Sequence, residues 1–171
     1  TFSITGSAGT GKTTIVKEIL KSQAAKGFSE VIMSSPTHRA NAVTLANNPK
    51  AQVITMHSLL GLMPSVDLDN FDARNMKFNS DGQKEPDIGP NQLSIIDESS
   101  MINDGLFDVL VQIASEFEGT KILFLGDSAQ LPPVKQAHKS KALSSTSGQA
   151  NLTEVMRAKN ATLLDESVAV R

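Results

Sequence analysis

The stretch Gly6-Ser7-Ala8-Gly9-Thr10-Gly11-Lys12-Thr13 decides how this chain is read. It fits the pattern G-x-x-x-x-G-K-[ST] at every fixed position. Glycines at these places let the backbone turn its N–H groups inward around phosphate oxygens, and a helix starting directly afterwards adds positive potential. Lys12 is expected to reach the β- and γ-phosphates of a bound nucleotide, the Thr13 hydroxyl to ligate Mg²⁺, and Thr14 to complete the cradle. A Gly-rich turn can also bind nothing, so its surroundings matter. Residues 2–5 read as a short strand. Residues 12–25 read as a helix with Ile15, Ile19 and Leu20 on one face and Gly27 just past its end.

Outward from this motif, apolar β-prone runs alternate with helix-patterned segments, which predicts an α/β domain with a mainly parallel sheet. Strands are expected at 31–34, Gln52–Thr55, 93–96 and 122–125, and helices at 39–46 and 104–118. The second of these helices carries Leu106, Leu110, Ile113 and Phe117 at helical spacing. Residues 64–90 differ in character, with a proline at each end, several Asp and an alternating stretch near Asn75. They read as a small insertion, a β-hairpin standing out from the sheet. The polar, Ser-rich stretch 139–150 reads as a mobile loop.

Two further blocks carry chemistry. Leu93-Ser94-Ile95-Ile96 is an apolar strand that ends abruptly in Asp97-Glu98. At the C-terminal edge of a parallel sheet such a pair faces the ligand crevice beside the phosphate cradle. Asp97 is expected to hold Mg²⁺, directly or through water, and Glu98 to act as general base on the attacking water. Alone, Asp-Glu after a strand is usually a solvated turn; the upstream phosphate motif tips the balance. Phe124-Leu125-Gly126-Asp127-Ser128-Ala129-Gln130-Leu131-Pro132-Pro133 repeats the arrangement. A Gly-Asp turn stiffened by prolines accounts for its shape, and Gln130 is placed to sense a γ-phosphate or orient water.

Bulk properties set the bounds. At 171 residues the chain has the size of one domain, without cysteine and so without disulfides. No apolar run approaches the roughly 18 residues needed to span a membrane. The net charge of −2 is not the strongly basic footprint of a protein that coats nucleic acid, yet it permits a narrow strand-binding cleft. With seven Phe and no Trp or Tyr, any base-stacking surface has to come from Phe or His.

The order of the motifs resembles superfamily 1 DNA helicases of the 5′-to-3′ branch, which includes RecD-like, Pif-like and phage Dda-type enzymes. The blocks are GSAGTGKTT at 6–14, SSPTHRAN at 34–41, TMHSLLG at 55–61, IIDESSM at 95–101, FLGDSAQLPPV at 124–134 and LTEVMRA at 152–158. LTEVMRA with PTHRA leans toward the Dda type. The resemblance implies a RecA-like P-loop NTPase fold, a three-layer sandwich, using ATP and Mg²⁺ on single-stranded DNA. It implies DNA contacts at Pro36, Thr37 and His38 and at Thr55, His57 and Ser58, although on local grounds both blocks are simply good helix starts. It implies that Arg157 reaches the γ-phosphate alongside Lys12, Glu98 and Gln130. It also likens the 64–90 insertion to a pin that splits the duplex, with Phe78 at or near its tip.

On that resemblance the 171 residues are expected to be the first RecA-like lobe of a larger enzyme, lacking the upstream Gln motif and the second lobe. Such a lobe alone should hydrolyse ATP slowly if at all and unwind nothing, because translocation needs two lobes closing around the nucleotide. The expected setting is the cytoplasm of a bacterial or phage-infected cell, with replication or recombination proteins as further partners and no membrane attachment. Two other readings stay open: a P-loop ATPase or nucleotide kinase indifferent to nucleic acid, and a nucleotide-dependent interaction module. A kinase would want an Arg-rich lid, and a pure switch has no need of Glu98.

Overall fold

A continuous run of apolar residues in a strand means that both of its faces are covered, and β5 (Lys121–Gly126) illustrates the rule. Its Ile122 and Phe124 belong to one core, its Leu123 and Leu125 to another on the opposite face of the sheet. The computed structural model describes residues 1–22, 26–62, 66–69, 85–133 and 136–155. The other strands are β1 (Phe2–Gly6), β2 (Glu30–Ser35), β3 (Gln52–Thr55), β4 (Gln92–Ile96) and β6 (Gly148–Leu152). They form one six-stranded sheet in the order β3-β2-β4-β5-β1-β6, and every pairing is parallel.

Helices cover both faces, giving three layers. On one side α1 (Lys12–Lys21) lays Val16, with Ile15 and Ile19, against Ile4, Met33, Ile95 and Leu125. On the other side, α3 (Met56–Leu59) and α4 (Asp104–Ser115) bring Met56, Leu59, Leu106 and Leu110 onto Ile32, Ile96 and Phe124. Phe107 of α4 meets Phe124 with ring centroids 5.5 Å apart and planes tilted by 42°. Helix α2 (His38–Asn47) contacts β2 and β3 and is pinned there by Asn41. The Asn41 side chain accepts from Ser35 Oγ at 2.6 Å and donates to the Ile54 carbonyl at 3.0 Å.

Three boundaries differ from the sequence reading, each for a local reason. Helix α1 ends at Lys21 because Ser22 turns to an extended conformation, and residues 23–25 lie outside the described part. Helix α4 stops at Ser115 rather than 118, since the chain there tightens into i to i−3 bonds before Gly119 at φ 75°. The stretch 139–150, read as a mobile loop, is instead ordered structure. It contains α5 (Lys141–Ser144) and most of β6. Its serines bond specific partners: Ser140 Oγ donates to the Ile102 carbonyl at 2.6 Å and caps Ala142 N–H. Ala142 and Leu143 are buried, and Thr146 Oγ1 lies 2.9 Å from Ser3 Oγ of β1.

The hairpin expected within 64–90, and Phe78 with it, falls largely outside the described residues. Both described ends of that segment are anchored. Leu68 and Ile88 are buried in the core beneath α4. Asn103 Nδ2 donates to the carbonyls of Leu68 (3.0 Å) and Asp69 (3.3 Å), and Thr120 Oγ1 donates to that of Gly89. No helix among the described residues is long and apolar enough to cross a membrane.

Candidate nucleotide and strand-binding site

A parallel sheet sends the ends of all its strands to one edge, and the ligand crevice forms there. The loop between β1 and α1 is held by its own bonds. Thr10 Oγ1 donates to the Ser7 carbonyl at 2.8 Å, and Gly11 takes φ 92° at the start of α1, a backbone state in which glycine is strain-free. Gly6 is buried at the strand end, where any side chain would run into Thr10 Oγ1. Lys12 Nζ donates to the carbonyls of Gly6 (2.6 Å) and Ser7 (3.1 Å), so its ammonium lies across the mouth of the loop.

A cavity of about 450 Å³ opens over this loop. Ala8, Gly9, Gly11, Lys12, Thr13 and Thr14 line it from the β1 side. Asp97 and Glu98 enter from the end of β4 and Gln130 from the loop after β5. The structure therefore brings three separate motifs to one cavity. Thr13 and Asp97 offer hard oxygen donors to it, the donor chemistry Mg²⁺ requires. Asp97 Oδ1 accepts the Glu98 backbone N–H at 2.9 Å, while Oδ2 has only a long 3.5 Å bond from Thr44 Oγ1, leaving lone pairs for a cation.

Glu98 takes φ 53° and ψ 37°, the left-handed region that costs a residue with a side chain roughly 1–2 kcal/mol. Strain of this kind concentrates at working sites. The Glu98 carboxyl is also pushed above its ordinary range. Burial is the main cause, with the neighbouring Asp97 charge next; Lys12 and a hydrogen bond from Gln130 pull the other way. Gln130 is itself held: its Oε1 accepts from Ser100 Oγ at 2.7 Å, which leaves the amide nitrogen to donate. Sequence reasoning gave Ser100 and Thr44 no role. Ser100 stood inside the quoted block IIDESSM, the one signal that could have singled it out.

The strand-contact candidates share the same edge. Pro36, Thr37 and His38 follow β2, and Thr55, His57 and Ser58 follow its neighbour β3, with Ser35 in register with Thr55. Both threonines are helix caps: Thr37 Oγ1 accepts Ala40 N–H and Thr55 Oγ1 accepts Ser58 N–H, each at 3.1 Å. A hydroxyl that accepts from an N–H keeps its own proton to donate, so capping and phosphate contact are compatible. His38 is exposed, whereas His57 Nε2 lies 2.7 Å from the Val66 carbonyl and ties α3 to the base of the insertion. Arg157 lies outside the described residues.

The chain is similar to proteins named as DNA helicases. The chain is 32% identical, over 98% of its length, to the ATP-dependent DNA helicase Dda of Enterobacteria phage T4. It is 34% identical, over 90% of its length, to the ATP-dependent RecD2 DNA helicase of Deinococcus radiodurans. It spans 37% and 19% of those relatives. Among solved structures, the Pif1 helicase of Candida albicans superposes with a TM-score of 0.65 at 25% identity, over 99% of this chain and 39% of that one. A family model described as an AAA domain matches residues 1–171, and the chain belongs to that family.

Proposed function

We propose that this chain is the ATP-hydrolysing lobe of a DNA helicase that moves 5′ to 3′ on single-stranded DNA together with a second RecA-like lobe. The reading rests above all on the single cavity that collects Lys12, Thr13, Asp97, Glu98 and Gln130 from three loops. Strand-contact candidates of two adjacent strands leave the same edge of the sheet. Its similarity to relatives named as ATP-dependent DNA helicases supports it.

In this mechanism the loop amides of Gly6 to Thr14 bind the phosphates, and Lys12 exchanges its two carbonyl partners for β- and γ-phosphate oxygens. Thr13 and Asp97 would hold Mg²⁺, which would supply positive charge to offset that of the phosphates. Glu98 accepts a proton from the attacking water. Its raised proton affinity makes it a stronger base than an ordinary glutamate. Gln130, held by Ser100, orients that water or senses the γ-phosphate, and Arg157 adds positive charge. ATP-driven closure of the lobes shifts Pro36, Thr37, His38, Thr55, His57 and Ser58 relative to the partner lobe. Movement follows only if closed and open states differ in DNA affinity. The insertion at 64–90, with Phe78, serves as the duplex-splitting pin. The protein works in the cytoplasm of a bacterial or phage-infected cell.

The test is the ATPase rate of the lobe joined to its second lobe, with and without single-stranded DNA, beside Lys12→Ala. Strong stimulation by DNA that the variant abolishes is the expected result. A Lys12-dependent rate indifferent to DNA would sink the helicase reading while keeping the phosphate chemistry.

A further inference from the structure

Behind the catalytic cavity a second and larger one, of about 680 Å³, opens toward the opposite edge of the sheet. The two follow the same elements in succession. Val16 of α1 and Met33 of β2 line the first; Lys17 and Leu20 of α1 and Val31 of β2 line the second. Asn47 and Asn48, at the end of α2, line both. The two cavities thus adjoin at those two asparagines, one toward the phosphate loop and one toward the rear of the sheet.

The two cavities differ in charge. The front carries Asp97 and Glu98 beside Lys12. The rear carries Lys17, Lys21, Lys26 and Lys50 against the single acid Glu30, in a chain whose net charge is −2. Of these lysines only Lys21 has an acidic partner within 4 Å among the described residues, Glu18 at 2.9 Å. At the divide, Asn48 is 7% exposed and its Nδ2 donates to the Thr44 carbonyl at 3.1 Å. Its Oδ1 is buried without a hydrogen-bond partner. A buried acceptor left unmatched is costly and calls for a donor.

We propose that the rear cavity is a binding site for orthophosphate, the seat that cleaved phosphate takes on leaving the catalytic cavity. This deepens the ATPase reading and rests on it. In hydrolysis the water oxygen bonds to the γ-phosphorus as the bond to the β–γ bridging oxygen breaks, giving ADP, hydrogen phosphate and a proton. Hydrogen phosphate fits the rear site by charge: its oxygens accept from the lysine ammonium groups. The carboxylates at the front repel the new anion while the lysines at the rear attract it.

The test begins with inorganic phosphate alone, titrated calorimetrically into nucleotide-free protein. Lys12→Ala, which disables the front site, is expected to retain one phosphate site. Adding Lys17→Gln and Lys50→Gln should weaken that site roughly tenfold, given what surface charge pairs contribute. All three lysines stand outside the core, and circular dichroism checks that the variants fold. In single turnovers of ATP followed with a fluorescent phosphate sensor, the Lys17→Gln/Lys50→Gln protein should cleave at the unaltered rate and release phosphate more slowly. The proposal is overturned if Lys12→Ala binds no phosphate, if the lysine changes leave its affinity as before, or if a short oligothymidylate displaces the phosphate at equal phosphate concentration. Absence of ATP cleavage by the lobe joined to its second lobe would refute the ATPase reading, and the phosphate titration would still judge the site separately.

Discussion

Replacing Ser100 by alanine isolates one link in the catalytic arrangement. Ser100 is 4% exposed, and its hydroxyl holds Gln130 Oε1 at 2.7 Å across thirty positions of sequence. Gln130 stands on an exposed loop, so its freed oxygen finds water and no unmatched buried group remains. The loss is therefore that of an ordinary neutral hydrogen bond, about 0.5–1.5 kcal/mol. If the whole of it serves to hold the carboxamide against the reacting groups, kcat falls roughly two- to thirteenfold with KM unchanged. The assay is steady-state ATP hydrolysis at saturating DNA, for Ser100→Ala, Gln130→Ala and the double variant. Because Ser100 acts only through Gln130, the double variant should match Gln130→Ala within about twofold. A Ser100 effect that persists in full on the Gln130→Ala background, or that appears in KM, refutes the reasoning.

Glu98 gives a pH prediction. Its carboxyl is raised in the fold, so the acid limb of kcat/KM should fall above the ordinary glutamate value of 4.5. The sign for stability follows from linkage: a raised acid contributes stability below its unfolded pKa that is lost as pH rises through the folded one. Glu98→Gln should accordingly abolish turnover yet raise the melting temperature near pH 7, with the gain fading below pH 4.5; a gain that persists undiminished in acid contradicts this. Gly6→Ala places a Cβ against Thr10 Oγ1, and strain of about 1–3 kcal/mol with loss of nucleotide binding is expected in denaturation and binding assays. Phe124→Ala empties a fully buried site beside Phe107 and should cost about 3–5 kcal/mol in equilibrium denaturation.

Much of this architecture is written locally. The glycine pattern around Lys12 and the apolar strands ending in Asp97 and Gly126 need only neighbouring residues to be understood, and the structure brings their motifs to one cavity. What escaped the sequence depends on distant partners. Strand β6 is built from Gly-Gln-Ala-Asn-Leu, mostly poor strand formers, and its alternation of exposed Gln149 and Asn151 with half-buried Ala150 and Leu152 spans only five residues. The exposed edge of β1 recruits it through backbone bonds in register from Phe2–Gly148 to Gly6–Leu152. The serines of 139–150 signal a loop by composition, whereas Ser140 acts as a helix cap by position. Ser100 and Thr44 likewise gain meaning from Gln130 and Asp97, which lie too far along the chain for any periodicity to reveal.

The placement of β1 also has a bearing on how the domain comes to exist. Phe2 pairs with Leu123 on one side and Gly148 on the other, so the first strand has both of its neighbours near the far end of the described chain. Contacts of such long sequence separation form late and slowly, because the intervening loop must be closed before they repay its entropy. Within this stretch the phosphate loop is made before its partners, and its strand lacks both neighbours until β5 and β6 follow. A nascent chain halted before Lys121 would carry the full phosphate-binding motif and be unable to hold it in shape. Nucleotide binding is thus a property gained only once β5 and β6 have been made and close on β1.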